Sequence, residues 1–266
     1  MVTKVSEESA FTVLLHEFRG IFIRISVPVI IIIFFCMTMS ISMINIGDYQ
    51  IPILYPNSIH SISIQIIILM KNTLLPKTVT LIQVAPGQAF IAQIYVSIIL
   101  GIIVALPIML RELNGFIGPA LYFQEKKIIK NVIISSIILF IAGCFFSYYL
   151  VIPYTIEFLY KYGESMGVAS FFDITQFILF VMNMLILFGF AYQLPLIMWA
   201  LTKTKIVNQH FWRNNFRFAI LFLVILGAFI TPDGSGVTMW FVVGPLLLLY
   251  IIGMIVVKTK FNNITL

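Results

Sequence analysis

Charged residues divide the chain into long uncharged intervals at 25–47, 78–110, 131–156, 174–202, 218–232 and 234–257. A helix rising ~1.5 Å per residue needs about 20 apolar residues to cross a hydrocarbon core ~30 Å thick. Five intervals meet that length. The interval 218–232 has 15 residues and reaches only ~22 Å at the same rise, but the charge pattern closes only if the chain crosses there too. The expectation is an all-α integral membrane protein with six transmembrane helices at about 25–46, 89–110, 129–152, 176–201, 218–231 and 237–257, the fifth of them short.

The basic residues orient these spans. Thirteen of the sixteen Lys and Arg fall in the N-terminal segment, the second and fourth connections and the tail. Only Lys71, Lys77 and Lys161 fall on the other side. The positive-inside rule then predicts both termini in the cytoplasm. Without the fifth span, the Lys258/Lys260 tail would lie outside and the turn at Gly234 would be cytoplasmic with no basic residue near it. The start, SEESAFTVLLHE, is followed by an apolar run too long for a signal-peptide core, so no cleaved leader is expected.

Composition agrees with a lipid solvent. Hydrophobic residues make up 61% and charged residues 10%, against ~45–50% and ~25% in soluble domains. The net charge of +6 is orientation charge facing anionic lipid, which argues against a nucleic-acid partner. Cys36 and Cys144 lie in apolar runs and read as buried free thiols.

The connection from Asp48 to Gly87 contains HSISIQI, IILMKNTLL and TVTLIQVAPG. Such apolar content predicts a folded extracytoplasmic cap, not a flexible linker. Pro28, Pro107, Pro153, Pro195 and Pro245 interrupt five spans, each removing a helix hydrogen bond, so several helices are expected to be kinked. No repeat at solenoid period and no paired inverted halves are visible. A single polytopic membrane domain over 1–266 is the simplest organisation.

Enzyme chemistry finds no support. His16-Glu17 is not followed by the second histidine of a zinc-protease motif, and neither a nucleophile elbow nor a phosphate-binding loop is present. His16, His60 and His210 fall in different segments, so no metal cluster and no cofactor are expected. The absence of a clear mid-span carboxylate argues against a proton- or cation-coupled carrier.

The block ALPIMLRELNGFIGPALYFQEKK at 105–127 is the most specific of several that resemble the TatC family, the core receptor subunit of the twin-arginine, Sec-independent protein translocase. LLHEFRGIFIR at 14–24 resembles the family's opening block, the stretch FGFAYQLPLIMWALTKTKIVNQHFWRNNFRFAIL its fourth span and loop, and ITPDGSG with GPLLLLYIIGM its last turn and span. The resemblance implies a cell-membrane protein that binds twin-arginine signal peptides at the cytoplasmic face. With TatA/TatB-type single-span subunits, and with self-association, it would export folded precursor proteins. By motif match, Glu17 and Glu125 stand where the family has signal-contacting carboxylates, Phe116 and Pro119 in the adjoining loop, and Arg19 at the basic position of the opening block. The chain departs from the family pattern at Gln193, where a carboxylate two residues before the fourth-span proline is usual. It departs also at Gln88, where the family often has Glu, at Tyr95, where a lysine is often found, and at His16, which directly precedes Glu17.

The same residues carry a physical argument. Two adjacent guanidinium groups need carboxylates able to accept two-point hydrogen bonds, and near the membrane surface such pairs exceed the ~0–1 kcal/mol of an exposed bridge. Read alone, Glu125 is equally an interfacial residue neutralised by Lys126 and Lys127, Glu17 a partner of Arg19 or Arg24, and Glu112 a local partner of Arg111. Phe116 to Pro119 is either a dock for an apolar segment or a turn anchored in headgroups. Gln193 is expected to bond backbone carbonyls freed by Pro195 or a neighbouring helix, with a partner contact as the alternative. Asp233 reads as a cap. A small-solute carrier or channel using Gln93, Asn183 and Gln193, or a purely structural assembly subunit, are the competing functions.

Overall fold

The computed structural model describes residues 2–46, 49–76, 79–117, 126–167, 171–204, 206–231 and 236–261. They fall into two compact units, Met1–Ile66 with Gln93–Ile134, and Ile67–Ala92 with Ser135–Leu266. The structure is mostly helical, and five helical stretches are long and apolar enough to cross a membrane: Phe18–Thr38, Gln88–Glu112, Val132–Ser165, Ile174–Lys203 and Val237–Lys260.

The first unit is built on α1 (Val2–Thr38), a hairpin of β1 (Met39–Ile46) and β2 (Tyr49–Pro56), the start of α2 (Ile62–Leu74), and most of α3 (Gln88–Ile117). The apolar run expected to be helical to about residue 46 stops being helix at Thr38. From there MSISM, at 39–43, alternates with a period of two, which suits a strand. β1 pairs antiparallel with β2, Met39 opposite Pro56 and Ile46 opposite Tyr49. Ending α1 leaves its last carbonyls without helical partners, and in a membrane each needs one. The Cys36 carbonyl accepts from Ser63 Oγ at 3.0 Å, Met37 from Gln93 Nε2 at 3.4 Å, and Thr38 from the Asn57 N–H at 2.9 Å. Gln93 also donates to Ser61 Oγ at 2.9 Å, and Ser63 Oγ lies 2.6 Å from Ser97 Oγ. Gln93, Ser61, Ser63 and Ser97 are all buried. Gln93, a candidate pathway residue for a solute carrier, is thus engaged in closing a helix end.

The second unit contains the rest of α2, β3 (Thr80–Ile82), the first residues of α3, and α4 (Lys126–Phe146) from Ser135. It continues through a π-helical turn (Ser147–Val151), α5 (Ile152–Ser165), β4 (Phe171–Asp173), α6 (Ile174–Ala191), α7 (Leu194–Lys203), α8 (Gln209–Asn214), α9 (Phe216–Ile230) and α10 (Val237–Phe261). β3 and β4 form a short parallel pair. The connection expected to be folded therefore carries β2, α2 and β3. Asp173 caps α6, its Oδ1 accepting from Thr175 N–H at 2.9 Å and Gln176 N–H at 3.0 Å.

The prolines are accommodated in different ways. Pro28, Pro107 and Pro245 lie inside α1, α3 and α10. Pro153 lies in the first turn of α5, directly after the π-helical turn, which widens the backbone where the proline N–H is missing. Pro195 opens α7 after the turn at Tyr192–Gln193, where a missing N–H costs nothing.

α6 is the centre of the second unit, with Phe177, Ile178, Val181, Met182, Met184, Leu185 and Phe188 buried. α4 closes on it through glycines. A Cβ on Gly143 would lie 2.4 Å from the Phe188 carbonyl oxygen, and one on Gly189 would meet the Phe140 ring at 2.6 Å. Small residues of this kind let helix backbones approach in membranes. Because a backbone oxygen cannot swing aside, Gly143→Ala is expected to lower stability by about 1–3 kcal/mol. A thermal shift in detergent checks this, and an unchanged Tm would refute the close α4–α6 approach. α10 packs on α7 where Gly253 faces Met198 and Pro195, and on α9 where Gly227 faces Val243. Both cysteines are free; Cys36 is buried and Cys144 half-buried.

Candidate functional site

In the first unit α1 and α3 run antiparallel. Gln93 bonds the Met37 carbonyl, Gly101 faces Val29 and Ile33, and Glu112 meets Arg24. Arg24 Nη1 donates to Glu112 Oε2 at 3.3 Å. This corrects the reading of Glu112 as a local partner of Arg111. Adjacent residues on a helix point ~100° apart and do not face each other, whereas tertiary packing brings Arg24 across. It also bears on Glu17, because one of the two arginines proposed to neutralise it is engaged elsewhere.

The register places the expected recognition residues. Glu17 lies seven residues, or ~10 Å along the helix, before Arg24 on α1; its side chain, like that of Phe116, lies outside the described residues. Phe116 is one turn beyond Glu112 on α3. The Glu17 backbone is therefore toward the same end of the pair as Phe116, about 4–5 Å further from the Arg24–Glu112 level. Arg19 is exposed on α1. Pro119 and Glu125 lie outside the described residues, as does Asp233. α1 presents most of its surface outward, Phe18, Phe22, Ile30, Ile31 and Phe34 being among its exposed apolar side chains.

Gln193 belongs to the second unit and is buried at the turn between α6 and α7. Its Oε1 accepts from Ser136 Oγ at 2.6 Å. Its Nε2 donates to the Ser136 carbonyl at 3.0 Å and the Gly189 carbonyl at 3.4 Å. It thus ties α6 to α4, and neither carbonyl is the one Pro195 leaves unpaired four residues back. Gln88 behaves alike: its Oε1 accepts from the Val84 N–H at 2.7 Å and the Ala85 N–H at 3.2 Å, closing the turn before α3 at Gly87, whose φ is +85°. At both positions a neutral amide does the accepting that a carboxylate would do, without an ion to desolvate. Tyr95 lies on α3, partly exposed.

Sequence reasoning missed two features. The Asp173 cap had a legible signal, Asp followed three residues later by Gln before an apolar run. The Arg24–Glu112 pair, 88 residues apart, had none. Among the described residues no group of three His, Cys, Asp or Glu is placed to hold a metal.

Apolar spans whose interior polar groups bond to one another, with an ion pair toward the helix ends, define a multi-span membrane scaffold. The chain belongs to the TatC family: the family's sequence model, Sec-independent protein translocase protein (TatC), matches residues 13–245. It is a component of a Sec-independent protein translocase, a transport protein of the membrane. The Sec-independent protein translocase protein TatC of Cenarchaeum symbiosum is 48% identical over 199 residues, 75% of each chain. That of Carboxydothermus hydrogenoformans is 34% identical over 64% of this chain and 70% of its own. The fold is similar to a crystal structure of a twin arginine translocase receptor, TatC, with a TM-score of 0.74 over 92% of this chain and 96% of that one at 24% identity. A structure of such a receptor in the detergent DDM matches at the same TM-score, with 25% identity over 92% and 99% of the two chains.

Proposed function

We propose that this chain is the receptor core of its translocase, binding twin-arginine signal peptides on the cytoplasmic face through Glu17 and Glu125, with Phe116 and Pro119 against the apolar part of the signal and Arg19 at the rim. The observation that supports this reading is the antiparallel run of α1 and α3, joined at Arg24–Glu112, in which the backbones of Glu17 and Phe116 lie toward the same end of the helix pair. A carboxylate and an apolar loop at one end of the pair are the combination a paired-arginine peptide with a hydrophobic stretch requires. The 13-to-3 distribution of basic residues supports placing both termini, and this site, on the cytoplasmic side. Single-span subunits of the TatA/TatB type and further copies of the chain are the proposed partners in moving folded cargo.

A photoreactive side chain at position 116 of the full chain, in membrane vesicles, is expected to crosslink a precursor bearing a twin-arginine signal. The adduct should weaken strongly when both arginines become lysine, because an ammonium cannot make the planar two-point contact. The same probe at position 171 should give none. No adduct at 116, or one indifferent to the Arg-to-Lys change, would overturn the reading.

A further inference from the structure

The second unit carries a basic feature that signal recognition does not use. α8 and the last turns of α10 wall an open cavity of about 450 Å³, lined by His210, Arg213 and Lys258 and by Ile251, Met254 and Ile255. On α10 the lining positions 251, 254, 255 and 258 follow the spacing of a single helical face. α8 is held against this face by Trp212, whose Nε1 donates to Thr202 Oγ1 at 3.0 Å and whose carbonyl accepts from Tyr250 OH at 2.9 Å.

The charge of the cavity is uncompensated in sequence. Between residues 174 and 266 there are six Lys or Arg and a single carboxylate, Asp233, which precedes α10, whereas Lys258 lies near its end. The anion that matches Arg213 and Lys258 therefore comes from outside this stretch of chain. Its setting narrows the chemistry. α10 is an apolar span ending at Lys260, so the cavity lies at headgroup depth. Its apolar side continues along the span, where Leu248, Ile252 and Ile255 are exposed. From Lys258 to Ile251 is ~10 Å along the helix, the reach from a headgroup phosphate to the upper part of a hydrocarbon chain. A soluble anion would leave that apolar wall unmatched.

We propose that this cavity binds an anionic membrane phospholipid, Arg213 and Lys258 contacting the phosphodiester and Ile251 and Ile255 the first part of a hydrocarbon chain. Basic pockets between membrane helices hold lipid headgroups in this way.

Trp212 provides the reporter. In a Trp199→Phe/Trp240→Phe background the full chain is reconstituted into phosphatidylcholine containing brominated phosphatidylglycerol, or the reverse, at equal mole fractions. Fluorescence quenching then gives the relative affinity for the two lipids. The anionic lipid is expected to be preferred by about fivefold for each basic side chain that contacts it. Arg213→Gln/Lys258→Gln should bring the preference to unity with Tm unchanged, and Arg213→Lys/Lys258→Arg should keep most of it. Equal quenching in the starting protein, or a preference that survives the double Gln variant, would overturn the proposal. Abolition of the preference by inorganic phosphate or by a soluble acidic peptide, at matched ionic strength, would reassign the cavity to a free anion or a protein segment and equally overturn it.

Discussion

Glu125→Lys is expected to abolish binding of twin-arginine signal peptides while the protein still inserts. Glu125→Gln should weaken binding by the loss of a charge-assisted hydrogen bond, roughly 1.5–3 kcal/mol, or about tenfold to a hundredfold in affinity. Lysine adds repulsion from the signal's own guanidinium groups to that loss. If the contact is direct, a signal in which one arginine becomes glutamate should partly rescue Glu125→Lys, since the charges are then exchanged. Arg24, seven residues after Glu17 on α1, is engaged by Glu112. Glu17→Ala should therefore act on binding separately from that ion pair. Peptide binding to the purified full chain measures each variant. Undiminished binding by Glu17→Ala/Glu125→Ala, with expression and oligomeric state intact, would leave both as interfacial ion-pair residues.

Lengthening α9 is expected to lower transport while leaving signal binding intact. α9 runs from Phe216 to Ile230 and reaches only ~22 Å against a core of ~30 Å, so where it crosses alone the bilayer beside it is expected to thin. A thin wall reduces the barrier to a folded cargo, and one added turn restores ~5.4 Å of it. The insertion belongs between Phe218 and Leu221, because Leu223 and Gly227 are the buried positions of α9 and Gly227 meets Val243 of α10. Placed there, it keeps the packed half in register. Transport of a folded precursor into vesicles gives the readout. Unchanged transport by a stable, inserted variant would show that thinning beside α9 plays no part.

Much of the fold was legible because lipid imposes a coarse demand on sequence. Long uncharged intervals mark five of the long apolar helices, and 218–232 coincides closely with the short helix α9. The Ile25–Gly47 interval shows the limit of that signal. No charge separates the helix up to Thr38 from the strand after it. The change is carried by the alternation in MSISM and by partners for the last helical carbonyls. Those partners, Asn57, Ser63 and Gln93, are up to 56 residues away.

For the candidate site, residue type was readable and partnership was not. The motifs identify Glu17, Arg19, Phe116, Pro119 and Glu125 as residues of interest, because carboxylates near apolar turns suit a peptide with paired arginines. They do not reveal that Glu112 pairs with Arg24, that Gln193 is held by Ser136, or that His210, Arg213 and Lys258 line one cavity.

Sequence by itself determined that the solvent is lipid, where most helices lie and which family the chain belongs to, since each rests on local composition or contiguous motifs. Tertiary structure decided where α1 ends, which carboxylate Arg24 meets and how buried amides are satisfied. These are questions of pairing between segments distant in the chain, and a backbone group or charge withdrawn from water takes whichever partner packing brings within about 3 Å.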